Sequence, residues 1–147
     1  MEGVSLYPLK QFIVPKGDVF HALKSTDEGY VGFGEVYFSQ IKGGEVKGWK
    51  RHNRMALNLV VVVGVIRFVI YDDRINSSTY GQFSEFILSP ATNYQRLTVS
   101  AGLWMAFQGV GKDVSMLMNI IPEPHDSTEA DSKELLEIKY DFEWKDC

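Results

Sequence analysis

Cysteine is almost absent from this sequence of 147 residues, since the only one is Cys147. A lone cysteine excludes an internal disulfide framework and any zinc site built on cysteine ligands. It also fits a reducing compartment, so we expect a cytoplasmic protein.

Three further features are missing, and each absence excludes a class of protein. Positive charge is not in excess, because the net charge is −4, so no surface for nucleic acid is expected. The longest apolar run, residues 57–71, is interrupted by Asn58, Gly64 and Arg67 and is too short and polar to span a bilayer. The N-terminus has no basic region followed by an apolar core, so no signal peptide is visible.

What is present is the composition of an ordinary soluble globular protein, with 45% hydrophobic and 23% charged residues. The length predicts a single domain, residues 1–147, with a sizeable core. Residues 1–16 are expected to form an N-terminal arm. Residues 122–147 are expected to form a C-terminal tail. Aromatic residues reappear near its end, and they predict that the tail packs on the rest of the domain.

Short runs rich in β-branched and aromatic residues recur along the chain, separated by turns of Gly, Asn, Asp and Pro. They predict strands at residues 10–14, 31–41, 57–63, 65–71, 82–88, 96–99, 104–108 and 114–121. Helical turns are expected only at residues 19–24 and 132–138. The absence of longer helical segments argues against alternating strands and helices, and it predicts an all-β barrel or sandwich.

Gly64 divides the central apolar run into two halves. Because glycine readily adopts the positive φ of tight turns, residues 57–63 and 65–71 are predicted to form a β-hairpin.

Residues 46–54, directly before this run, contain a concentration of basic side chains. If the segment is extended, alternation places Lys50, His52 and Arg54 on one face and Trp49 and Arg51 on the other. Three nitrogen-bearing side chains on one face could receive an anion or transfer protons. Equally, they could form a solvated edge or loop.

Several motifs occur in one order over residues 17–144: Gly48-Trp49-Lys50-Arg51-His52, Gly64, Tyr71-Asp72-Asp73-Arg74, Ser78-Thr79-Tyr80-Gly81, Gly102-Leu103-Trp104-Met105-Ala106-Phe107 and Asn119-Ile120-Ile121-Pro122. This series resembles the dTDP-4-dehydrorhamnose 3,5-epimerase family of cupins. The resemblance implies a double-stranded β-helix, or jelly roll, and a homodimer. It also implies that a nucleoside-diphosphate sugar binds in the mouth of the barrel.

The resemblance also implies proton transfer next to the ketone of a 4-keto sugar, which needs a base, a cation near the enolate oxygen and an opposing acid. This chain departs from the family pattern at the catalytic positions. The base histidine falls on Lys50, and the second histidine falls on Met105. The region in which the family has its acid tyrosine is Asn119-Ile120-Ile121-Pro122 in this chain and contains no tyrosine. The aspartate that partners the base histidine corresponds to Asp141.

These departures lead to a hypothesis for catalysis by epimerisation or keto-isomerisation in cell-surface polysaccharide synthesis. His52 is the base, because its imidazole is the natural proton acceptor at neutral pH. Lys50 stabilises the enolate oxygen, Asp141 orients Lys50 or His52, and Tyr71 is the acid.

The same hypothesis assigns substrate-binding roles to Arg51, Arg54, Arg74, Asn119 and Met105. Arginine suits phosphate oxygens, which it can bind through two parallel hydrogen bonds. For Arg74, an ion pair with the neighbouring aspartates is an equal alternative, and Met105 can also be barrel packing.

Two other functions remain open from the sequence. The chain could be a non-catalytic cupin that binds carbohydrate or a partner protein after losing the epimerase base and acid. A metal-dependent cupin is disfavoured, because Lys50 and Met105 occupy positions of histidine ligands. We therefore expect neither a metal nor another cofactor.

Overall fold

The computed structural model describes residues 1–143, which form two facing five-stranded sheets with antiparallel pairing throughout. The first sheet contains, in spatial order, β1 (Val4–Pro8), β9 (Gln95–Val99), β6 (Leu57–Val63), β11 (Ser115–Ile121) and β4 (Glu35–Ile41). The second contains β12 (Ala130–Ser132), β5 (Val46–His52), β10 (Trp104–Gly109), β7 (Ile66–Tyr71) and β8 (Phe83–Leu88). A separate hairpin pairs β2 (Gln11–Phe12) with β3 (Val19–Phe20).

This architecture confirms the predicted all-β fold. The core lies between the sheets and consists of the inward-facing aliphatic and aromatic side chains, among them Leu59, Phe68, Ile70, Leu97 and Leu117. Within residues 1–143 no helix could cross a membrane, since the helical segments are the two 3-10 turns Ser127–Glu129 and Leu135–Glu137.

The predicted hairpin around Gly64 is wrong, because β6 and β7 belong to different sheets. Both strands are apolar on both faces and each has a neighbour on either side, as expected of strands in the middle of a sheet. Gly64 therefore connects the two sheets. It has φ +76°, and a Cβ there would lie 2.2 Å from the hydroxyl of Ser115, so no other residue fits without rearrangement.

Two other local predictions also differ from the structure. Residues 19–24 contain β3 rather than a helical turn, because Val19 pairs with Phe12 across the hairpin. The N-terminal arm contains β1, which pairs along its whole length with β9.

The C-terminal segment packs on the outer face of the second sheet, where Trp49 and Trp104 are buried. The indole Nε1 of Trp49 donates a hydrogen bond to the carbonyl oxygen of Ile138 at 3.2 Å. The apolar side chains that cover this face are those of Leu135, Ile138, Tyr140 and Phe142. The outer face is thereby closed, and β5 presents its other face to the interior.

A buried carboxylate organises the loop that follows β7. Asp72 is fully buried and accepts hydrogen bonds from Nε and Nη2 of Arg74, both at 2.8 Å. The hydroxyls of Ser77 and Thr79 donate to the same carboxylate at 2.6 and 2.7 Å. The Arg74 guanidinium, together with these hydroxyls, holds the pKa of Asp72 well below its usual range.

Replacing Asp72 by Asn should destabilise the fold by about 3 kcal/mol at pH 7, because the partly buried Arg74 guanidinium would lose its carboxylate partner and face an amide donor instead. The carboxylate has a lowered pKa in the folded state, so its contribution is complete above an unfolded pKa of about 4. It is lost as the pH falls towards the folded-state value. Urea unfolding at pH 7 and pH 3 should therefore show a smaller difference between wild type and Asp72→Asn at the lower pH.

The exposed Asp113 offers a matched control, and Asp113→Asn should change stability by no more than about 0.5 kcal/mol. An equal effect of the two substitutions at pH 7 would contradict the role given to Asp72.

Candidate active site

A cavity of about 230 Å³ lies between the two sheets. One part of its wall is apolar and is formed by Leu57, Leu59, Met105, Phe107 and Leu117. The polar part is formed by Tyr37, Ser39, Lys47, Lys50, His52 and Asn119. Among the described residues that line it there is no carboxylate, so the cavity carries positive charge.

An irregularity in β5 directs two lysines into this cavity. Lys50 pairs with Met105 of β10, but Phe107 pairs with Lys47, so three steps along β5 match two steps along β10. The extra residue is a β-bulge at Gly48 and Trp49, and a bulge changes the face to which later side chains point. Lys47 and Lys50 therefore both face inward, although simple alternation would separate them.

The two lysines differ in their contacts. The ammonium of Lys47 donates to the carbonyl oxygen of Gln40 at 2.6 Å. The side chain of Lys50 has no hydrogen-bond or ion-pair partner within residues 1–143. Lys50 is half-buried, and its ammonium has no counter-ion among the described residues. The ammonium is therefore available to a negatively charged oxygen of a ligand.

His52 is buried at the end of β5 and has a partner that the sequence analysis did not identify. Its Nδ1 lies 2.6 Å from Oε2 of Glu129, which is 2% exposed. The other carboxylate oxygen, Oε1, accepts from the backbone N–H groups of Arg54 and Met55 at 2.5 and 2.9 Å. Both oxygens of Glu129 are thus used to hold the end of β5.

These contacts determine the protonation of the pair. Burial raises the pKa of Glu129, but the hydrogen bonds from His52, Met55 and Arg54 outweigh burial and place the pKa below its usual range. An ionised carboxylate only accepts hydrogen bonds, so Nδ1 of His52 carries the proton. In a neutral imidazole the lone pair is then on Nε2, and the ring lines the cavity.

Tyr37 lies on β4 and is held by Asn119 of the adjacent strand β11. Nδ2 of Asn119 donates to the phenolic oxygen of Tyr37 at 2.9 Å. Burial raises the pKa of Tyr37. The hydrogen bond from Asn119 lowers this pKa and the negative charge of Glu35 raises it, so that the net shift is upward. The phenol is therefore protonated at neutral pH, and its own O–H is free to donate.

The three arginines of the sequence hypothesis do not line the cavity. Arg51 lies on the outer face of the second sheet, where it pairs with Asp131 at 2.8 Å and stacks on Trp104. Arg54 lies two residues beyond the end of β5 and forms a surface ion pair with Glu123. Arg74 is held by the buried Asp72 described above.

Tyr71 and Asp141 also lie away from the cavity, on the outer face of the second sheet. Tyr71 stacks on Phe83 with ring centroids 4.6 Å apart. The backbone carbonyl of Asp141 accepts from Arg67, and its carboxylate accepts from the backbone N–H of Glu143. Because His52 points inward, its carboxylate partner is Glu129 and not Asp141. The predicted roles of Tyr71 and Asp141 do not agree with these contacts.

Of the nine residues predicted from the sequence, Lys50, His52, Met105 and Asn119 meet in the cavity. Sequence reasoning missed Lys47, Tyr37 and Glu129. The strand around Tyr37 was recognised, but nothing in the sequence showed that it faces His52 from the opposite sheet. Glu129 has no local signal, since it is 77 residues from His52 along the chain.

No group of three or more His, Cys, Asp or Glu side chains that could hold a metal ion occurs in residues 1–143. The cavity offers His52 as its only such side chain within this part of the structure, together with two lysines.

Comparison with known proteins identifies relatives along most of the chain. A dTDP sugar isomerase from Desulfovibrio desulfuricans G20 is 33% identical in sequence and superposes with a TM-score of 0.89. The match covers 91% of this chain and 85% of that one. The chain is therefore a member of the dTDP-4-dehydrorhamnose 3,5-epimerase family. This finding confirms the family resemblance and the cupin fold.

Two further relatives are more distant or match over a shorter part of the chain. The dTDP-4-dehydrorhamnose 3,5-epimerase from Sulfolobus tokodaii is 20% identical, with a TM-score of 0.83 over 95% of this chain and 82% of that one. A probable low-salt glycan biosynthesis epimerase from Haloferax volcanii is 29% identical over 100 residues, which are 67% of this chain and 64% of that protein. A scan against sequence models of protein families gave no match for this chain.

Replacing Glu129 by Gln tests the His52–Glu129 pair. The amide of Gln must direct a donor either at Nδ1–H of His52 or at the backbone N–H groups, so about 2–3 kcal/mol of stability should be lost. The fixed imidazole tautomer should be lost as well. Urea unfolding measures the first effect. The second is measured by ¹⁵N NMR, which should show Nδ1 of His52 protonated and Nε2 unprotonated in the neutral wild type.

The exposed Glu45 provides the control, and Glu45→Gln should leave both measurements unchanged. A neutral His52 protonated on Nε2 in the wild type would contradict the assignment.

Proposed function

We propose that this protein is a nucleotide-sugar epimerase or isomerase that transfers a proton next to the ketone of a 4-keto-6-deoxy sugar, in the synthesis of a surface glycan. The observation that carries the proposal is the cavity in which the imidazole of His52, the ammonium of Lys50 and the phenol of Tyr37 meet. Two relatives support the substrate class: one is named as a dTDP sugar isomerase and the other as a probable glycan biosynthesis epimerase.

The first step is removal of a proton from the carbon beside the ketone. Nε2 of His52 accepts this proton, and Glu129 stabilises the resulting imidazolium through Nδ1–H. The electrons of the broken C–H bond form the enolate, whose oxygen bears negative charge. Lys50 stabilises that oxygen, because its ammonium has no other partner among the described residues.

The second step returns a proton to the substrate. Tyr37 is on the first sheet and His52 is on the second, so the phenol and the imidazole approach a bound sugar from opposite walls. We therefore propose Tyr37 as the acid in place of Tyr71. Return of the proton to the same carbon from the other side gives an epimer. Return to the former carbonyl carbon gives a keto-isomer, provided that the hydroxyl on the neighbouring carbon gives up its proton and the former ketone oxygen takes one up.

The cavity also limits how the substrate binds. A volume of about 230 Å³ is below the usual range of about 300–1,000 Å³ for drug-sized ligands, so it suits the sugar and leaves the nucleoside outside. The diphosphate then lies near the rim, where Lys47 is the inward-facing cation in addition to Lys50. Lys47 therefore takes the phosphate-binding role predicted for the arginines.

Incubation with dTDP-4-keto-6-deoxyglucose in heavy water should place deuterium on a carbon adjacent to the ketone, detected by NMR or mass spectrometry. His52→Asn should reduce the rate about 10²–10⁴-fold through loss of the base. Lys50→Met should reduce the rate about 10²–10³-fold, because the enolate loses its cation.

His125 is exposed in a loop, so His125→Asn is the matched control and should retain the wild-type rate. Measurable binding of the sugar nucleotide without deuterium incorporation would contradict the proposed activity. It would instead support a non-catalytic carbohydrate-binding cupin.

We also infer a homodimer and a cytoplasmic location. The homodimer is supported by exposed apolar residues on the free edge strand β4 and on the β2–β3 hairpin, namely Phe12, Ile13, Val14, Val19, Phe20, Val36 and Phe38. Free apolar edges are normally covered, because their unpaired backbone groups and side chains favour association. The cytoplasmic location rests on the sequence.

Light scattering should give twice the 16.7 kDa mass of one chain for the wild type, and Phe38→Glu should shift the mass towards one chain. Ile75 is 84% exposed in the loop after β7, and Ile75→Glu should leave the mass unchanged. A wild type that remains monomeric at micromolar concentration would contradict the dimer.

A further inference from the structure

Only one of the two polar atoms in the side-chain amide of Asn119 has a hydrogen-bond partner within residues 1–143. Asn119 is 4% exposed and faces the cavity from β11. Its Nδ2 donates to Tyr37, but its Oδ1 is buried and has no hydrogen-bond partner within the described residues. A buried acceptor that has lost water and gained no donor is rare in folded proteins, and one that faces a cavity indicates a missing partner.

Packing does not explain an amide at this position. The neighbouring wall positions are occupied by Leu57, Leu59 and Leu117, so the surroundings would accept an apolar side chain of similar size. The cavity provides Lys50 as a cationic donor, but Lys50 makes no hydrogen bond to Asn119. The unpaired oxygen is therefore suited to a donor brought by the ligand, and a sugar hydroxyl is such a donor.

We propose that Asn119 is a positioning residue that accepts a hydrogen bond from the sugar hydroxyl on the carbon next to the ketone. This inference rests on the proposed function and specifies its substrate class. One amide group carries both atoms, so Oδ1 lies beside the phenol that Nδ2 holds. A hydroxyl bound by Oδ1 places the adjacent C–OH group next to the phenolic proton of Tyr37.

The inference distinguishes two kinds of 4-keto sugar. A sugar with a hydroxyl beside the ketone satisfies Oδ1. A deoxy sugar that lacks this hydroxyl leaves the acceptor buried and unpaired. Sites built to hydrogen-bond a hydroxyl discriminate against the analogue that lacks it for this reason.

A binding cycle measures the interaction without requiring turnover. Calorimetry would give the Kd of dTDP-6-deoxyglucose and of its 3-deoxy analogue for the wild type and for Asn119→Leu. Loss of the hydroxyl should weaken binding to the wild type about tenfold, the size expected of one neutral hydrogen bond. In Asn119→Leu the two ligands should bind within about twofold of each other.

A second substitution separates the two contacts of the amide. Asn119→Asp retains an acceptor oxygen but loses the N–H that holds Tyr37. It should therefore keep the preference for the hydroxylated ligand. In the deuterium-exchange reaction it should lower kcat more than it raises KM, because the carboxylate would accept the phenolic O–H of Tyr37 and withdraw that proton from the substrate.

The outcomes are distinguishable. An equal effect of the missing hydroxyl on wild type and Asn119→Leu, with both proteins folded by thermal unfolding, would overturn the role of Asn119 and leave the proposed function intact. Failure of the wild type to bind either sugar nucleotide would overturn the substrate class, and the inference with it. If Asn119→Leu does not fold, Asn119→Ala serves in the same cycle.

Discussion

The buried carboxylate of Glu129 is the interaction on which the candidate site depends. It joins the segment after β11 to the end of β5, because one oxygen contacts His52 and the other accepts two backbone N–H groups. A buried carboxylate is costly unless each oxygen is hydrogen-bonded, and here both are. The same contacts that make burial tolerable also determine which nitrogen of His52 faces the cavity. Structural stability and the proposed basicity thus arise from one group.

Charged side chains on the outer and inner faces of the second sheet have different surroundings. On the outer face of the second sheet, Arg51 is paired with carboxylates and buried aromatic residues are covered by the C-terminal segment. On the inner face, Lys50 and His52 meet no carboxylate other than Glu129 among the described residues. The paired cations stabilise the fold, and the unpaired cation is left for a ligand. This distribution is what the proposed enolate chemistry requires.

The fold could be predicted from the sequence because short β-rich runs, separated by turn residues, leave few architectures open, and the motif series indicated the cupin family. Alternation correctly placed Lys50 and His52 on one face, since they are two residues apart within one strand. It failed for Arg54, because β5 ends at His52. It gave no reason to include Lys47, because a single extra residue in β5 reverses the alternation. The hairpin at Gly64 was mispredicted because a glycine turn does not show whether two strands pair or enter opposite sheets.

Contacts between distant segments were beyond sequence reasoning. Tyr37 reaches Asn119 across 82 residues, and Glu129 reaches His52 across 77. Neither pair has a spacing signal, since both depend on which strands become neighbours. The family pattern directed attention to the C-terminal aspartate. The topology instead brings the segment before β12 alongside β5, and this supplies a glutamate.

The proposed chemistry requires that the interior of the barrel, and not its outer surface, receives the sugar between His52 and Lys50. A crystal structure with dTDP-6-deoxyglucose, which lacks the reactive ketone, would show where the sugar binds. We expect the pyranose ring inside the cavity, with its C4 oxygen within about 3.2 Å of the Lys50 ammonium and Nε2 of His52 facing a neighbouring carbon. A sugar bound on the outer face, with the cavity closed by apolar side chains, would contradict it.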